Sequence, residues 1–459
     1  PAGAEADCES DSLEERSRQE EIRRDEDGHY ATDADRPEER AILVGVNFTS
    51  TRPGANNDFA DLEELERLAD TAGATVVGRM EQRRQSPDVR TLIGKGKAEQ
   101  INDMAEALDA NLVIFDNDLS MPQGRNLEKL IGARIIDRTE LILDIFVRRA
   151  RTRQARLQVG LAQLEYYLPR LARMWTHLER QAGGIGTRGP GETQIETDRR
   201  IIRKRITQLK RDLQQIERTM ETQNKQRRRH FRVALVGYTN AGKSSLMNRL
   251  AESDVLVEDR LFATLDATTR RVETDDAHDF LLTDTVGFIR KLPHHLVESF
   301  RATLSEVRDA DLLLHVVDAC DSDRDGHIEA VEQVLSTISD VPVERVLVFN
   351  KIDSLGAERL EALRHEEPDA LLTSAVTGEG LDALLAHIDD RLRREERRLI
   401  VQVPAGEGRS LAALHELADV VEVTWDGPCA TVTLRVDSEN YGRVTQLPGV
   451  EIIEVRSRG

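Results

Sequence analysis

"FRVALVGYTNAGKSSLMNRL" (Phe231–Leu250) decides the reading of this chain. A short apolar run with strand character ends in Gly237. Four residues follow, then Gly242-Lys243-Ser244, and then a stretch with helical character. Strand, glycine loop and helix in that order are the setting a phosphate-binding loop requires. The glycines let successive backbone N–H groups turn inward around a phosphate. Gly237, Tyr238, Thr239, Asn240, Ala241, Gly242, Lys243 and Ser244 are therefore expected to line a nucleotide. Lys243 would neutralise charge on the β- and γ-phosphates, and the Ser244 hydroxyl would be a magnesium ligand.

Three segments downstream mark a GTPase rather than a generic nucleotide hydrolase, and the last two of them read the base. "FLLTDTVG" (Phe280–Gly287) is an apolar strand ending in Asp284, placed to hold magnesium through water. After Thr285 and Val286, Gly287 can offer its N–H to a γ-phosphate. "VLVFNKID" (Val346–Asp353) ends in Asn350-Lys351-Ile352-Asp353. A carboxylate at Asp353 can accept from guanine N1–H and the N2 amine, a donor pair adenine lacks. "TSAVTGEG" (Thr373–Gly380) brings Ser374, Ala375 and Val376, with the Ala375 amide aimed at guanine O6. Between the first two motifs lies "LFATLDATTRR" (Leu261–Arg271), where a threonine must reach both magnesium and γ-phosphate. Phe262, Ala263, Leu265 and Asp266 are counted with it as nucleotide-site residues. The residue after Gly287 is Phe288, where Ras-like enzymes carry a glutamine that orients the attacking water. Slow intrinsic turnover, completed by a partner, is the expectation.

Upstream, "AILVGV" (Ala41–Val46), "ATVVGR" (Ala74–Arg79), "LVIFD" (Leu112–Asp116) and "ARIID" (Ala133–Asp137) read as buried strands separated by helical stretches. That alternation marks a small parallel α/β sheet. Its loop "LIGKGKAEQ" (Leu92–Gln100) fits either a phosphate site at a helix N-terminus or a plain strand-to-helix turn.

The region joining this sheet to the phosphate loop is basic. The chain carries a formal charge of −20, yet Arg148–Arg232 holds 22 Lys plus Arg against 8 Asp plus Glu, leaving −34 elsewhere. A solvated helical face and a footprint for a phosphate backbone both fit. Leu157, Leu161, Leu164, Leu168, Leu171, Trp175 and Leu178 recur at spacings of four and three, as do Ile202, Ile206, Leu209, Leu213, Ile216 and Met220. Each is a seam of the kind that pairs two helices. Pro169 should kink the first. Thr193 and Glu196 have the spacing of a capping box opening the second. Between the seams lies "GGIGTRGPGETQIE" (Gly183–Glu196), the tip of an antiparallel hairpin about 30–40 Å long at roughly 1.5 Å per residue. A flexible turn accounts for it; so does a tip on a basic stalk entering RNA, whose unstacked bases and phosphates accept backbone amides and Arg stacking, or a shape-specific protein groove.

Residues 1–40 hold 15 acidic and 6 basic side chains and almost no large apolar ones, so disorder is expected there. From Arg398, "RLIVQV" reads as a strand, Ser410–Leu417 as a helix, and two strands flank Asp426-Gly427. The fold class is thus multidomain α/β. An acidic tail (1–40) leads into a parallel α/β domain (41–140) and the basic hairpin (141–230). A P-loop, Ras-like G domain (231–395) and a small α+β domain (396–459) follow. Cys8, Cys320 and Cys429 lie far apart without a C-x-x-C spacing, which argues for reduced thiols rather than a metal site. With neither an apolar run long enough to span a bilayer nor a secretory start, a soluble cytoplasmic monomer is expected.

"GGIGTRGPGETQIETDRR", "GYTNAGKSSLMNRL", "LFATLDATTRR" and "DTVGFIRKLPHHLVESFRATLSEV", taken together, resemble the HflX GTPases, from Ala41 to about Gly459. The resemblance implies GTP hydrolysis with Mg2+ and GTP-dependent binding to the large (50S) ribosomal subunit. It also implies a hairpin tip near ribosomal RNA of the peptidyl-transferase region, and splitting or rescue of stalled ribosomes under stress. It assigns the switch threonine to Thr264, so that Lys243, Thr264 and Gly287 form the catalytic set and Ser244 and Thr264 the metal ligands. Ala267 stands where the family pattern has proline, which should loosen that loop without removing a ligand. Related GTPases carry an asparagine at the place of Asn240 that helps bind a monovalent cation, so K+ is a candidate second cofactor. The rival reading is a nucleotide-gated RNA-binding or ribosome-assembly factor in which hydrolysis is incidental.

Overall fold

A computed structural model describes residues 38–49, 62–170, 192–227, 230–251, 261–262, 264–274, 279–291, 305–338, 343–395, 397–436 and 438–456. Residues 1–37 of the expected acidic tail, the glycine-rich tip Gly183–Gly191, the first seam beyond Arg170, and Ala263 lie outside them, and Arg40 already belongs to the first strand.

The first sheet is built on β1 (Arg40–Phe48), whose sequence RAILVGVNF is buried at seven successive positions. A strand so apolar on both sides must be covered on both faces. β2 (Thr75–Arg84), β3 (Leu112–Phe115) and β4 (Arg134–Asp137) complete it in the order β2-β1-β3-β4, all parallel, as the sequence predicts. On one face Leu43 and Ile114 pack with Leu65 and Leu68 of α1 (Leu62–Ala72) and with Phe146 of α4 (Arg138–Arg149). On the other, Ile42, Val44 and Phe115 meet Ile101 of α2 (Lys95–Leu108) and Leu127 of α3 (Met121–Ile131). Gly94 is the N-cap of α2, its amide donating to Gln82 Oε1 at 3.3 Å, and Lys95, Gly96 and Lys97 lie in the first turn of the helix, where Lys95 pairs with Glu99 at 3.6 Å. The 140/141 boundary expected from the sequence falls inside α4, which Asp137 caps by accepting from the Glu140 amide at 2.9 Å.

The basic arm follows. α5 (Arg153–Tyr167) gives way to a 3-10 turn over Leu168–Arg170, so the helix stops where Pro169 requires. α6 (Glu192–Arg227) runs for 36 residues, about 54 Å at ~1.5 Å per residue, longer than the seam spacing suggested. It begins one residue before Thr193, which therefore lies within the helix rather than at its cap. Leu161, Leu209 and Leu213 are buried between the two helices, flanked by Leu157, Leu164 and Ile206, as the spacings of four and three predict.

A second, six-stranded sheet has the order β10-β9-β8-β5-β7-β6. It comprises β5 (Phe231–Gly237), β6 (Thr268–Glu273), β7 (Asp279–Asp284), β8 (Leu312–Asp318), β9 (Glu344–Asn350) and β10 (Leu371–Leu372). Among the described residues, only the β6–β7 pairing in it is antiparallel. Its helices are α7 (Lys243–Leu250), the short α8 (Ser305–Arg308), α9 (Arg324–Ile338), α10 (Ala357–Glu366) and α11 (Leu381–Glu395). The glycine loop, Asp284, Asn350 and the Thr373 segment follow or end β5, β7, β9 and β10 at their C-terminal ends, where open α/β sheets bind ligands.

The last domain carries more than the sequence predicts. β11 (Arg397–Pro404), α12 (Gly408–Leu417), β12 (Asp419–Asp426), β13 (Cys429–Val436), α13 (Ser438–Val444) and β14 (Glu451–Arg456) form an antiparallel sheet of order β12-β13-β11-β14. This is the split β-α-β arrangement of ferredoxin-like folds. Cys320 and Cys429 are free thiols. Among the described residues no helix is long and apolar enough to cross a membrane.

Candidate nucleotide site

β5 leaves the sheet at Gly237 with φ +153°, and a Cβ there would stand 2.2 Å from the Val316 carbonyl oxygen. Gly242, at φ +91°, would put its Cβ 2.2 Å from Asn350 Nδ2. Both positions need glycine for conformation and for space. Lys243 opens α7, and its Nζ donates to the carbonyls of Gly237 at 3.1 Å and Tyr238 at 2.8 Å. Burial holds its ammonium below the usual lysine range, at about 8, against the opposing pull of Asp284.

Ser244, Thr264 and Asp284 come from three separate segments and converge. Ser244 Oγ lies 2.7 Å from Thr264 Oγ1 and donates to Asp284 Oδ2 at 2.5 Å. Asp284 is fully buried, and among the described residues its other oxygen, Oδ1, is buried without a hydrogen-bond partner. Burial raises the Asp284 carboxyl above its ordinary range, opposed by Lys243 and by the Ser244 hydroxyl. An orphaned carboxylate oxygen beside two hydroxyls is a hard-oxygen donor set, and it fits a magnesium ion that keeps most of its waters.

Gly287 lies against the phosphate loop: a Cβ on it would stand 2.9 Å from Thr239 Cα and 3.1 Å from Lys243 Nζ. Phe288 extends this contact as a β-bridge, its amide donating to Gly237 O at 3.1 Å and its carbonyl accepting from the Thr239 amide at 2.8 Å. Its ring is buried with Phe262, Leu265 and Ile289 in the cluster that continues into the first domain.

Asn350 ties the base-binding loops together. Its Nδ2 donates to Ala241 O at 3.0 Å and its Oδ1 accepts from the Ala375 amide at 3.1 Å. The amide expected to reach guanine O6 is thus held by Asn350 in this structure. Asp353 Oδ1 accepts from Ser374 Oγ at 2.6 Å, and Lys351 pairs with Asp318 at 2.7 Å.

Three side chains counted with the nucleotide point to the first domain and the arm instead. Tyr238 Oη donates to Glu64 and accepts from the Arg290 amide at 2.9 Å. Phe262 meets Phe146 edge-on at 4.8 Å. Asp266 accepts from the amides of Arg151 and Thr152, both at 3.2 Å, and from the Thr152 hydroxyl. Val376 is 79% exposed. The sequence does not reveal Glu64, Asp116, Arg138 and Lys291, which link the first domain to the segment after Gly287. They lie far apart in sequence, and although Asp116 and Lys291 fall inside stretches quoted above, nothing in the sequence pairs them. The one signal was a charged residue, Arg138, directly after the strand that ends in Asp137.

A glycine loop on a buried lysine, a hydroxyl–carboxylate cluster at its mouth and an Asn-Lys-x-Asp base loop define a P-loop GTPase of α/β fold, an enzyme hydrolysing GTP. Comparison with known proteins agrees by segment. Residues 60–147 match the family described as GTP-binding GTPase N-terminal, 149–227 the GTP-binding GTPase Middle Region, and 232–351 the 50S ribosome-binding GTPase. The protein called GTPase HflX of Escherichia coli (strain K12) is 45% identical over 402 residues, covering 87% of this chain and 93% of that protein. GTPase HflX of Flavobacterium psychrophilum is 52% identical over 316 residues, covering 69% of this chain and 76% of that protein. A GTP-binding protein from the archaeon Sulfolobus solfataricus, solved with GDP, is 24% identical with a TM-score of 0.40, covering 77% of this chain and 98% of that one. The chain belongs to the HflX family of GTPases.

Proposed function

We propose that this GTPase binds the large ribosomal subunit through its basic arm, and that nucleotide state controls the engagement so as to split or rescue stalled ribosomes. The observation that carries this is the long helix α6. Arg200, Arg203, Lys204 and Arg211 line one groove along it, a face suited to a phosphate backbone. GTP would lie with its phosphates in the Gly237–Ser244 loop and its base between Asn350, Asp353 and Ala375. Ser244, Thr264 and the orphaned Asp284 oxygen would hold Mg2+, which supplies charge neutralisation at the β- and γ-phosphates. The Lys243 ammonium adds to that neutralisation, and the Gly287 amide faces the γ-phosphate. Phe288, buried and apolar, cannot orient the attacking water. The missing group then comes from the ribosome, or in part from K+ held beside Asn240. A sucrose-gradient profile of 70S ribosomes with the protein and GTP, GDP or a non-hydrolysable analogue tests the reading. Nucleotide-dependent conversion of 70S to subunits supports it; co-sedimentation with 50S precursors alone favours the assembly factor.

A further inference from the structure

We infer that Asp266 and Thr152 are positioning residues for hydrolysis: the switch carboxylate seats on the start of the arm's first helix and thereby holds Thr264 over Ser244. The inference rests on the reading of Ser244 and Thr264 as magnesium ligands.

The switch segment is fixed at three points around Thr264. Phe262 packs on Phe146, Leu265 is 3% exposed in the same cluster, and Asp266 is bound by its carboxylate. That carboxylate sits at the N-terminus of α5, where free amides and the helix dipole favour an anion. Oδ2 accepts from the amides of Arg151 and Thr152, both at 3.2 Å, and Oδ1 accepts from the Thr152 hydroxyl. Thr152 is itself the cap of α5, its Oγ1 accepting from the Ala155 amide at 3.1 Å. One hydroxyl therefore joins the first turn of the arm to the switch. Thr264, two residues before Asp266, reaches Ser244 Oγ at 2.7 Å.

These contacts form a chain from the arm to the metal ligands: α5 cap, Thr152, Asp266, Thr264, Ser244. Nothing in the ordinary GTPase chemistry requires a carboxylate at position 266, and both of its oxygens are taken up at the start of α5. Its use is mechanical. A displacement of α5 would move Thr264, and a Thr264 drawn to magnesium and γ-phosphate would fix α5. By linkage the two effects on binding are reciprocal. A ligand that displaces α5 and the triphosphate at the loop would then change each other's affinity by the same factor.

The experiment compares Asp266→Ala, Thr152→Val and the double variant with Thr264→Ala in the full-length protein. Three quantities are measured: GDP affinity, the Mg2+ concentration giving half-maximal binding of a non-hydrolysable GTP analogue, and the GTPase rate. Asp266→Ala and Thr152→Val should leave GDP affinity unchanged, which also shows that the G domain is folded. They should raise the Mg2+ requirement with the triphosphate analogue and lower kcat by about tenfold, the scale of a small misplacement. The double variant should be no worse than Asp266→Ala, which removes the whole seat, whereas Thr152→Val removes only the hydroxyl's share of it. A Mg2+ requirement moved by Thr264→Ala but not by Asp266→Ala would overturn this proposal alone. A requirement unmoved by Thr264→Ala would overturn the magnesium reading and the proposal with it. Independent, multiplying losses in the double variant would also overturn it.

Discussion

Lys291 Nζ, four residues past Gly287, lies 2.7 Å from Asp116 Oδ2 in the first domain. Asp116 also accepts from Arg138 Nη1 at 2.8 Å, and Arg138 reaches Glu64, the acceptor of the Tyr238 hydroxyl. Two acids and two bases thus form a neutral quartet between the phosphate loop, the segment after Gly287 and the first sheet. Arg138 is 2% exposed and Asp116 1%. Such a cluster contributes little net stability when intact, but removing one member strands the others. Both switch segments are therefore held from outside the G domain, one by Asp116 and one by Thr152.

Asp116→Ala should lower the unfolding free energy by about 3–5 kcal/mol, because Arg138 keeps only one of its two carboxylates. Lys291→Met should cost nearer ~1 kcal/mol, since that side chain is 23% exposed and water can replace part of the interaction. Urea titration of both variants measures this. Equal small losses would mean that the quartet is solvated rather than buried.

The parts of this protein that could be read in its sequence are those where one segment decides the structure. β1 announces itself by the apolar run Ala41–Val46, and the loop between Gly237 and Gly242 by glycines that nothing else could replace. The strand-end motifs fall at the sheet edge because chemistry and topology put them there. The quartet and the Asp266 seat could not be read, since each is made by residues on elements that only packing brings together. Asp266 sits in a nucleotide motif, and only the fold turns its carboxylate to α5. The second half of the last domain escaped the sequence for another reason. "SENYGRV" (Ser438–Val444) is a seven-residue helix with weak periodicity, and β14 follows it after a short turn.

Asp353→Asn should weaken GTP binding by roughly 2–4 kcal/mol, as a donor replaces an acceptor facing guanine N1–H. The structure adds that Asp353 is oriented by Ser374 Oγ at 2.6 Å, so Ser374→Ala should weaken binding less and in the same direction. Calorimetry with GDP decides it; wild-type affinity in Asp353→Asn would remove this loop from the site.

Nucleotide affinity should be flat below about pH 8 and fall above it. Lys243 in the free protein has its pKa lowered to about 8 by burial, whereas phosphates beside it raise the pKa in the complex. Below the free value both states carry the proton. Above it, binding must take one up, and affinity falls by about tenfold per pH unit until the value in the complex is reached. GDP titrations at pH 7, 8 and 9 in wild type and Lys243→Met measure the slope. A wild-type profile as flat as that of the variant would refute the assignment.

The last expectation separates affinity due to charge from affinity due to shape. If the arm neutralises phosphates, replacing Arg200, Arg203, Lys204 and Arg211 with Gln removes up to four released counterions. The slope of log affinity for 50S subunits against log salt should then flatten by about 0.7–0.9 for each phosphate no longer neutralised. The acidic remainder of the chain, −34 against +14 in the basic segment, repels RNA and cannot supply that slope itself. GTP affinity and unfolding should stay at wild type, because these side chains line a solvent-facing groove on α6. An unchanged slope with intact binding would make this stretch a solvated helical face. Loss of binding at all salts with an unchanged slope would mean that α6 is recognised by its shape.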